Sequence, residues 1–337
     1  MAGKVKWSYT AINTLRECNR KYYFSQVLAT FGRTIPLRRK VYELKSMQDI
    51  LRWQGSVIDK FMEITIIPMI TAKQPLDFDA LALQAVELAK KQFDYSSLAV
   101  YTDPFVSKKE AGPEFCILDI HELGKSWTDQ QIAEAYAVIA AAVQRLPEIQ
   151  MPDGQPLMEF LKACNSLSPN VNNWKVDIEE AAVKPQIDLL AMHNWKPVVM
   201  DWKLSGSYTS DYHRQLVIIG LVVYLKRLST PEKKNYAFED IRLYEVNLLK
   251  GVVKEHAFTE ERMNQMIDEI NLTSQDILLL TKNAAIPDID DFEMTDNENS
   301  CRMCNYRSVC SYLLLNNNQY DEKSYSEFVQ ANQFAGA

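Results

Sequence analysis

The chain has 337 residues, 47% of them hydrophobic and 24% charged, with only ten glycines. That balance belongs to a globular protein of one large domain or two ordinary ones and excludes low-complexity or disordered chains. The net charge of −7 excludes a globally basic binder of nucleic acid, so any such binding needs a local basic surface.

No apolar h-region follows from Met1–Thr10, and the longest apolar stretch, Leu216–Leu225, is about half a membrane span. A cytoplasmic protein with no membrane attachment is expected. In that reducing compartment the six cysteines suggest metal or cluster ligation, or plain buried thiols, rather than disulfides.

In chain order, Trp7–Phe24 reads as a first helix capped by Ser8. Ile12, Leu15, Cys18 and Tyr22 recur at steps of three and four, which turns Cys18 inward as a small hydrophobe. A basic segment follows, with Arg33, Arg38, Arg39, Lys40, Lys45 and Arg52. Such a run is a solvated face or, in this acidic chain, the local candidate for a surface that tracks phosphates. Trp53–Phe61 opens a helix with Gly55 near its start and Asp59 one turn later. Residues 77–93 and 127–146 are helical and carry no chemistry, with an irregular Asp94–Lys125 between them. Met151–Asn173 reads as a passage into the next unit, so a largely helical region is expected over 1–165, a core over 174–285 and a tail over 286–337.

From Val176 the pattern changes to strands: Val176–Val183, Pro185–Met192 and Val198–Leu204, then a helix over Ser207–Leu228. The pair Asp240–Leu249 and Val252–Phe258 turns at Gly251, and Thr259 caps an amphipathic helix to about Lys282. The order β-β-β-α-β-β-α predicts an α/β fold, a mixed β-sheet flanked by helices. The helix before the second strand pair is apolar all round its second half and should be buried under the sheet.

Within this core, Asp188 and Asp201 stand on two strands of one hairpin, flanking the turn His193–Lys196. Side chains alternate along a strand, so Lys203 shares a face with Asp201 while Trp202 points opposite. Two carboxylates and an ammonium converging beside a sheet suit a hard divalent cation and an attacking water. Further on, Cys301-x2-Cys304-x5-Cys310 has ligand spacing and lacks a fourth partner, since no other Cys or His follows His256. That ligand has to come from a distant part of the chain.

Pro185-Gln-Ile-Asp188 followed by Asp201-Trp-Lys203 resembles the PD-(D/E)XK nuclease superfamily. Ser8–Phe24 with its lone Cys18, the closing cysteine triplet, and Gln215-Leu216 at the start of a QxxxY-like helix are similar to its RecB-like branch. That branch includes the AddB nuclease domain and the CRISPR-associated single-strand exonucleases. The resemblance runs from residue 8 to residue 310 and implies a restriction-endonuclease-like core. It implies a metal-dependent deoxyribonuclease acting on single-stranded DNA or duplex ends, in repair, recombination, CRISPR adaptation or phage defence.

It further implies Mg²⁺ or Mn²⁺ held by Asp188, Asp201, the Trp202 carbonyl and Asp59, with Lys203 and Gln215 completing the catalytic set. Cys18, Cys301, Cys304 and Cys310 would hold a 4Fe-4S cluster that staples the N- and C-terminal parts. Two departures stand out: Asp59 occupies the family's histidine position, and Ile219 its tyrosine, with Tyr224 on the opposite helix face. Cys116 and Cys164 match nothing in the family and read as core thiols. The chain has no P-loop, so unwinding would fall to a helicase or translocase partner. The rival expectations are a catalytically degenerate DNA-binding scaffold subunit and a zinc-stapled protein unrelated to nucleases.

Overall fold

The computed structural model describes residues 4–30, 34–204, 212–229, 236–282, 284 and 287–332. The chain opens with a short strand β1 (Val5–Trp7) and two helices, α1 (Tyr9–Glu17) and α2 (Asn19–Tyr22). Ser8 caps α1 as its sequence suggests. The single helix expected to Phe24 is broken at Cys18, whose extended backbone (φ −167°) ends α1 and whose Sγ accepts the Lys21 N–H at the start of α2. A polar Glu17-Cys18-Asn19 step offers the backbone this alternative partner, and the helix restarts.

The N-terminal helices continue as α3 (Pro36–Ser46), α4 (Ile50–Phe61), α5 (Ile67–Thr71), α6 (Phe78–Ser97), α7 (Lys108–Ala111), α8 (Asp119–Glu122), α9 (Asp129–Gln144) and α10 (Leu157–Ala163). The basic segment is only partly available to a ligand. Arg39 and Lys40 on α3 are spent on Glu43, and Lys40 also reaches Glu122 at 2.6 Å. Helical spacing puts Glu43 beside both cations, and burial then closes the cluster. Arg33 lies outside the described residues.

The main sheet has five strands in the order β2 (Ser166–Val171), β5 (Ile187–His193), β6 (Lys196–Lys203), β7 (Arg242–Asn247), β8 (Val252–His256). β6 and β7 are parallel and the other pairs antiparallel, so the sheet is mixed. The β5–β6 hairpin turns on Asn194 and Trp195, both left-handed (φ 50° and 61°), the twist that a two-residue hairpin requires. A second, three-stranded sheet runs β1-β4-β3, with β3 (Val176–Ile178) and β4 (Ala181–Val183). The expected single strand Val176–Val183 is therefore a hairpin. It turns at Glu179 (φ 43°), where two acids interrupt the apolar run. The passage expected over Met151–Asn173 likewise contains α10 and β2.

A parallel β6–β7 pair needs a crossover, and α11 (His213–Leu228) supplies it. The expected start at Ser207 falls outside the described residues. Every residue from Leu216 to Val223 is buried, because the helix is covered on both sides. Leu216, Ile219 and Val223 pack on Val199 and Leu243 of the sheet, while Val217, Ile218 and Leu221 meet α12 (Glu260–Leu280) and the terminal helices. On the sheet's other face Met200, Trp202 and Val246 share one core with Trp53, Val57 and Ile139 of the N-terminal helices. The chain ends in α13 (Glu298–Arg302), α14 (Arg307–Leu315) and α15 (Glu322–Asn332). Among the described residues no helix is long and apolar enough to cross a membrane.

Trp53 is fully buried and donates its Nε1–H to Gln92 Oε1 at 2.9 Å. Trp53→Ala should cost about 3–5 kcal/mol of stability, read from urea denaturation. Trp53→Phe should cost less, mainly the unpaired Gln92 oxygen at about 1–3 kcal/mol.

Candidate active site

Asp201 lies near the end of β6 and is only 2% exposed. Alternation turns Val199, Asp201 and Lys203 toward α11 and Trp202 into the opposite core. Leu189 pairs with Met200, and the next step of that register sets Asp188 across from Asp201. Asp188 Oδ2 accepts the Trp202 backbone N–H at 3.1 Å. Lys203 Nζ is ion-paired with Asp201 Oδ2. Gln215, one turn into α11, donates Nε2–H to Asp201 Oδ1 at 3.2 Å. Asp59 approaches from α4: the flanking Val57 and Ile58 are buried, and the carboxylate opens into the cleft.

These groups share one field. Burial first, then the charges of Asp201 and Asp59, push Asp188 well above the usual carboxylate range. Asp59 is itself exposed to the cleft; crowding by the cleft walls, then Asp201, raises it to about 7, with Lys203 opposing. Burial also raises Asp201, against the pull of Lys203. For Lys203 burial works downward, but Asp201, Asp188 and Asp59 outweigh it, so its pKa is raised and the side chain stays an ammonium.

Three cavities meet at Asp59. The largest, about 1110 Å³, runs past Tyr42, Lys45, Arg52, Lys203 and Tyr212. A second of about 730 Å³ leads past Lys60, Asn170 and Asp188, and a third of about 430 Å³ holds Asp188, Asp201, Lys203 and Gln215 together. Ile219, standing at the family's tyrosine position, lines the third cavity. Tyr224 instead packs on Phe238, away from it.

Among the described residues no group of three or more His, Cys, Asp or Glu is drawn together closely enough to hold an ion as the side chains stand. The donors suit a hard cation nonetheless: Asp201 raises Asp188 and Asp59, Asp59 adds to the rise of Asp188, and a divalent charge among them relieves that repulsion. Two contributors were missed by the sequence reading. Tyr212 lays its ring 4.4 Å from Lys203 Nζ, and nothing in its sequence neighbourhood signals this. Glu245 stands beside Asp201 in the β6–β7 register and is held by His256 Nε2 at 2.9 Å. An acid inside the apolar run Leu243–Val246 was its available signal.

The cysteines also gather. Cys18 lies between α1 and α2, Cys301 in α13, Cys304 just after it and Cys310 in α14. Burial raises the Cys310 thiol to about 11, Arg20 opposes, and the charges of Cys304, Cys18 and Cys301 add to the rise. The two ends of the chain thus bring four thiols into one neighbourhood, though, like the acids, they are not drawn around a common ion position as the side chains stand. Cys116 is buried and Cys164 half-buried, both with thiols raised to about 12 by burial.

A mixed sheet with paired acids and a lysine at its strand ends defines an α/β protein equipped for phosphodiester chemistry. A sequence profile of the PD-(D/E)XK nuclease superfamily matches residues 6–311, and the chain belongs to that superfamily. No curated protein sequence matches it.

Raised carboxylates mean that the native site binds protons which the unfolded chain has already released. The site's contribution to stability is therefore full below the ordinary carboxylate range and is lost as pH rises through about 7 for Asp59. In EDTA, thermal unfolding between about pH 5 and about pH 8 should show the wild type losing more stability than Asp59→Asn. Superimposable profiles would remove Asp59 from the coupled site.

Proposed function

We propose that the chain is a divalent-cation-dependent deoxyribonuclease that degrades single-stranded DNA or duplex ends, chiefly as an exonuclease. The observation that carries this reading is the convergence of Asp188, Asp201, Lys203 and Gln215 on one cavity that Asp59 also faces. Asp188, Asp201, Asp59 and the Trp202 carbonyl would hold Mg²⁺ or Mn²⁺. When bound, the ion supplies Lewis acidity and lowers the pKa of a water. Lys203 remains charged and acts through that charge, holding a phosphate oxygen as negative charge develops on it. Gln215 keeps the Asp201 carboxylate turned toward the cavity. Asp188 is fixed by the Trp202 N–H and presents its other oxygen.

The cleft walls support a single-stranded substrate. Lys45 and Arg52 supply positive charge, and the rings of Tyr42 and Tyr212 supply surfaces on which bases stack. This local basic surface is what an acidic chain needs to attract DNA. Strand separation would come from a helicase or translocase partner, within repair, recombination or defence against foreign DNA. Asp201→Ala or Lys203→Ala should lower cleavage at least about a hundredfold, assayed on labelled single- and double-stranded DNA with Mg²⁺ or Mn²⁺. Full activity in the Lys203 variant would overturn the site assignment.

The four gathered thiols support a 4Fe-4S cluster as a staple between the chain's two ends. Ligation coupled to folding gives a distinct expectation. Cys18→Ser should bleach the anaerobically purified protein and lower its stability as much as Cys304→Ser does, while Cys116→Ser keeps the colour. Visible absorbance with iron per chain is the measurement, and a fully coloured Cys18→Ser protein would exclude the staple.

A further inference from the structure

The two larger cavities share one wall. Gln48, Ser56, Asp59, Lys108 and Phe115 line both, so the Lys108–Phe115 segment forms the lip of the waist where they join. Lys108 Nζ stands 5.6 Å from the centre of the Phe115 ring. Lys108 makes no ion pair among the described residues, and the nearby cation Lys60 is itself engaged by Glu63 at 2.5 Å. Crowding by the walls, then Lys60, lowers the Lys108 pKa, with Glu63 opposing. An exposed ammonium with no carboxylate partner among the described residues, at the waist of a cleft that Lys45 and Arg52 also line, is placed to meet a phosphate.

The lip is built with care for its position. Ser107 caps α7 in a reciprocal box with Glu110, and Gly112 takes a left-handed φ of 61° that folds the chain back. Phe115 thereby returns beneath Lys108. Buried Gln92 donates to the Pro113 carbonyl at 2.8 Å while its oxygen accepts the Trp53 Nε1–H. Trp53 belongs to α4, the helix that carries Asp59. One buried amide thus sets the distance between the lip and the carboxylate.

We infer that Lys108 and Phe115 form a substrate-contact pair, Lys108 on the backbone phosphate and Phe115 on the base of a nucleotide flanking the scissile bond. The strand then runs from the larger cavity through the waist into the second, with the reacting phosphate at Asp59, where the third cavity opens and brings Asp188 and Asp201 to it. The inference rests on the nuclease reading, but its test is independent of cleavage.

Binding of a fluorescent oligothymidylate is measured in EDTA by anisotropy across a salt series. Lys108→Ala should weaken binding and reduce the slope of log K against log salt by about 0.7, the loss of one phosphate contact on a single strand. Phe115→Ala should weaken binding about five- to a hundredfold through lost stacking and leave that slope unchanged. Phe115→Trp, which keeps a ring, should retain tight binding and guards against misfolding as the cause. Lys162→Ala, a surface lysine paired with Glu159, is the control and should match wild type. Wild-type affinity and slope in both alanine variants would overturn the pair. Wild-type protein that binds with these dependences yet cuts no DNA with Mg²⁺ or Mn²⁺ would overturn the nuclease reading and leave the pair standing.

Discussion

Everything in the candidate site depends on holding the Asp201 carboxyl group where almost no water reaches it. A carboxylate that is 2% exposed carries a desolvation cost of several kcal/mol unless neighbours compensate. The compensation comes from two directions. Lys203, two residues along β6, supplies the charge, and Gln215 on the crossover helix supplies a hydrogen bond. The strand must therefore be central, with α11 packed across it, for the site to exist. That requirement accounts for the uninterrupted apolar stretch of α11, which has to fill both the space over the sheet and the space under α12.

The second constraint is the placement of Asp59, which comes from a different layer. Its helix packs against the opposite face of the sheet, in the same core as Met200 and Trp202. The N-terminal helices thus do more than surround the sheet: they form the far wall of the cleft and contribute its third carboxylate. Because the three acids lie in one field, Asp201 raises both Asp59 and Asp188 and Asp59 adds to the rise of Asp188, so the site is electrostatically tense without a cation. Tension of this kind is tolerated where it serves binding or catalysis.

The termini meet by ordinary packing. Phe24 lies 5.5 Å from the Tyr306 ring, Tyr23 4.9 Å from Phe292, and the Arg20 amide donates to the Glu293 carbonyl. Trp7 in β1 donates to Thr273 of α12 at 2.8 Å. These contacts draw α2 and the segments around α13 and α14 together and set Cys18 beside the triplet.

Much of the fold and of the site was legible in the sequence, because it rests on local periodicity. The alternation in β5 and β6 put Asp201 and Lys203 on one face, and the all-round apolarity of α11 announced a helix buried under the sheet. The Asn194-Trp195 turn set the hairpin that faces Asp188 toward Asp201. What failed was also local in origin: a helix read through Cys18, and a strand read through Glu179, where side-chain capping and a left-handed turn outweigh the apolar pattern. Other features were beyond any local reading. The second ion pair of Lys40 depends on Glu122 arriving from another helix. The pinning of the Lys108–Phe115 lip by Gln92 depends on chain segments far apart in sequence, and the contact of Tyr212 with Lys203 on how the chain returns from β6 to α11. The sequence by itself determined which side chains share a face, since that follows from backbone geometry. Only the tertiary structure decided which charges are spent inside the protein and which remain for a ligand, because that depends on what packs across from each of them.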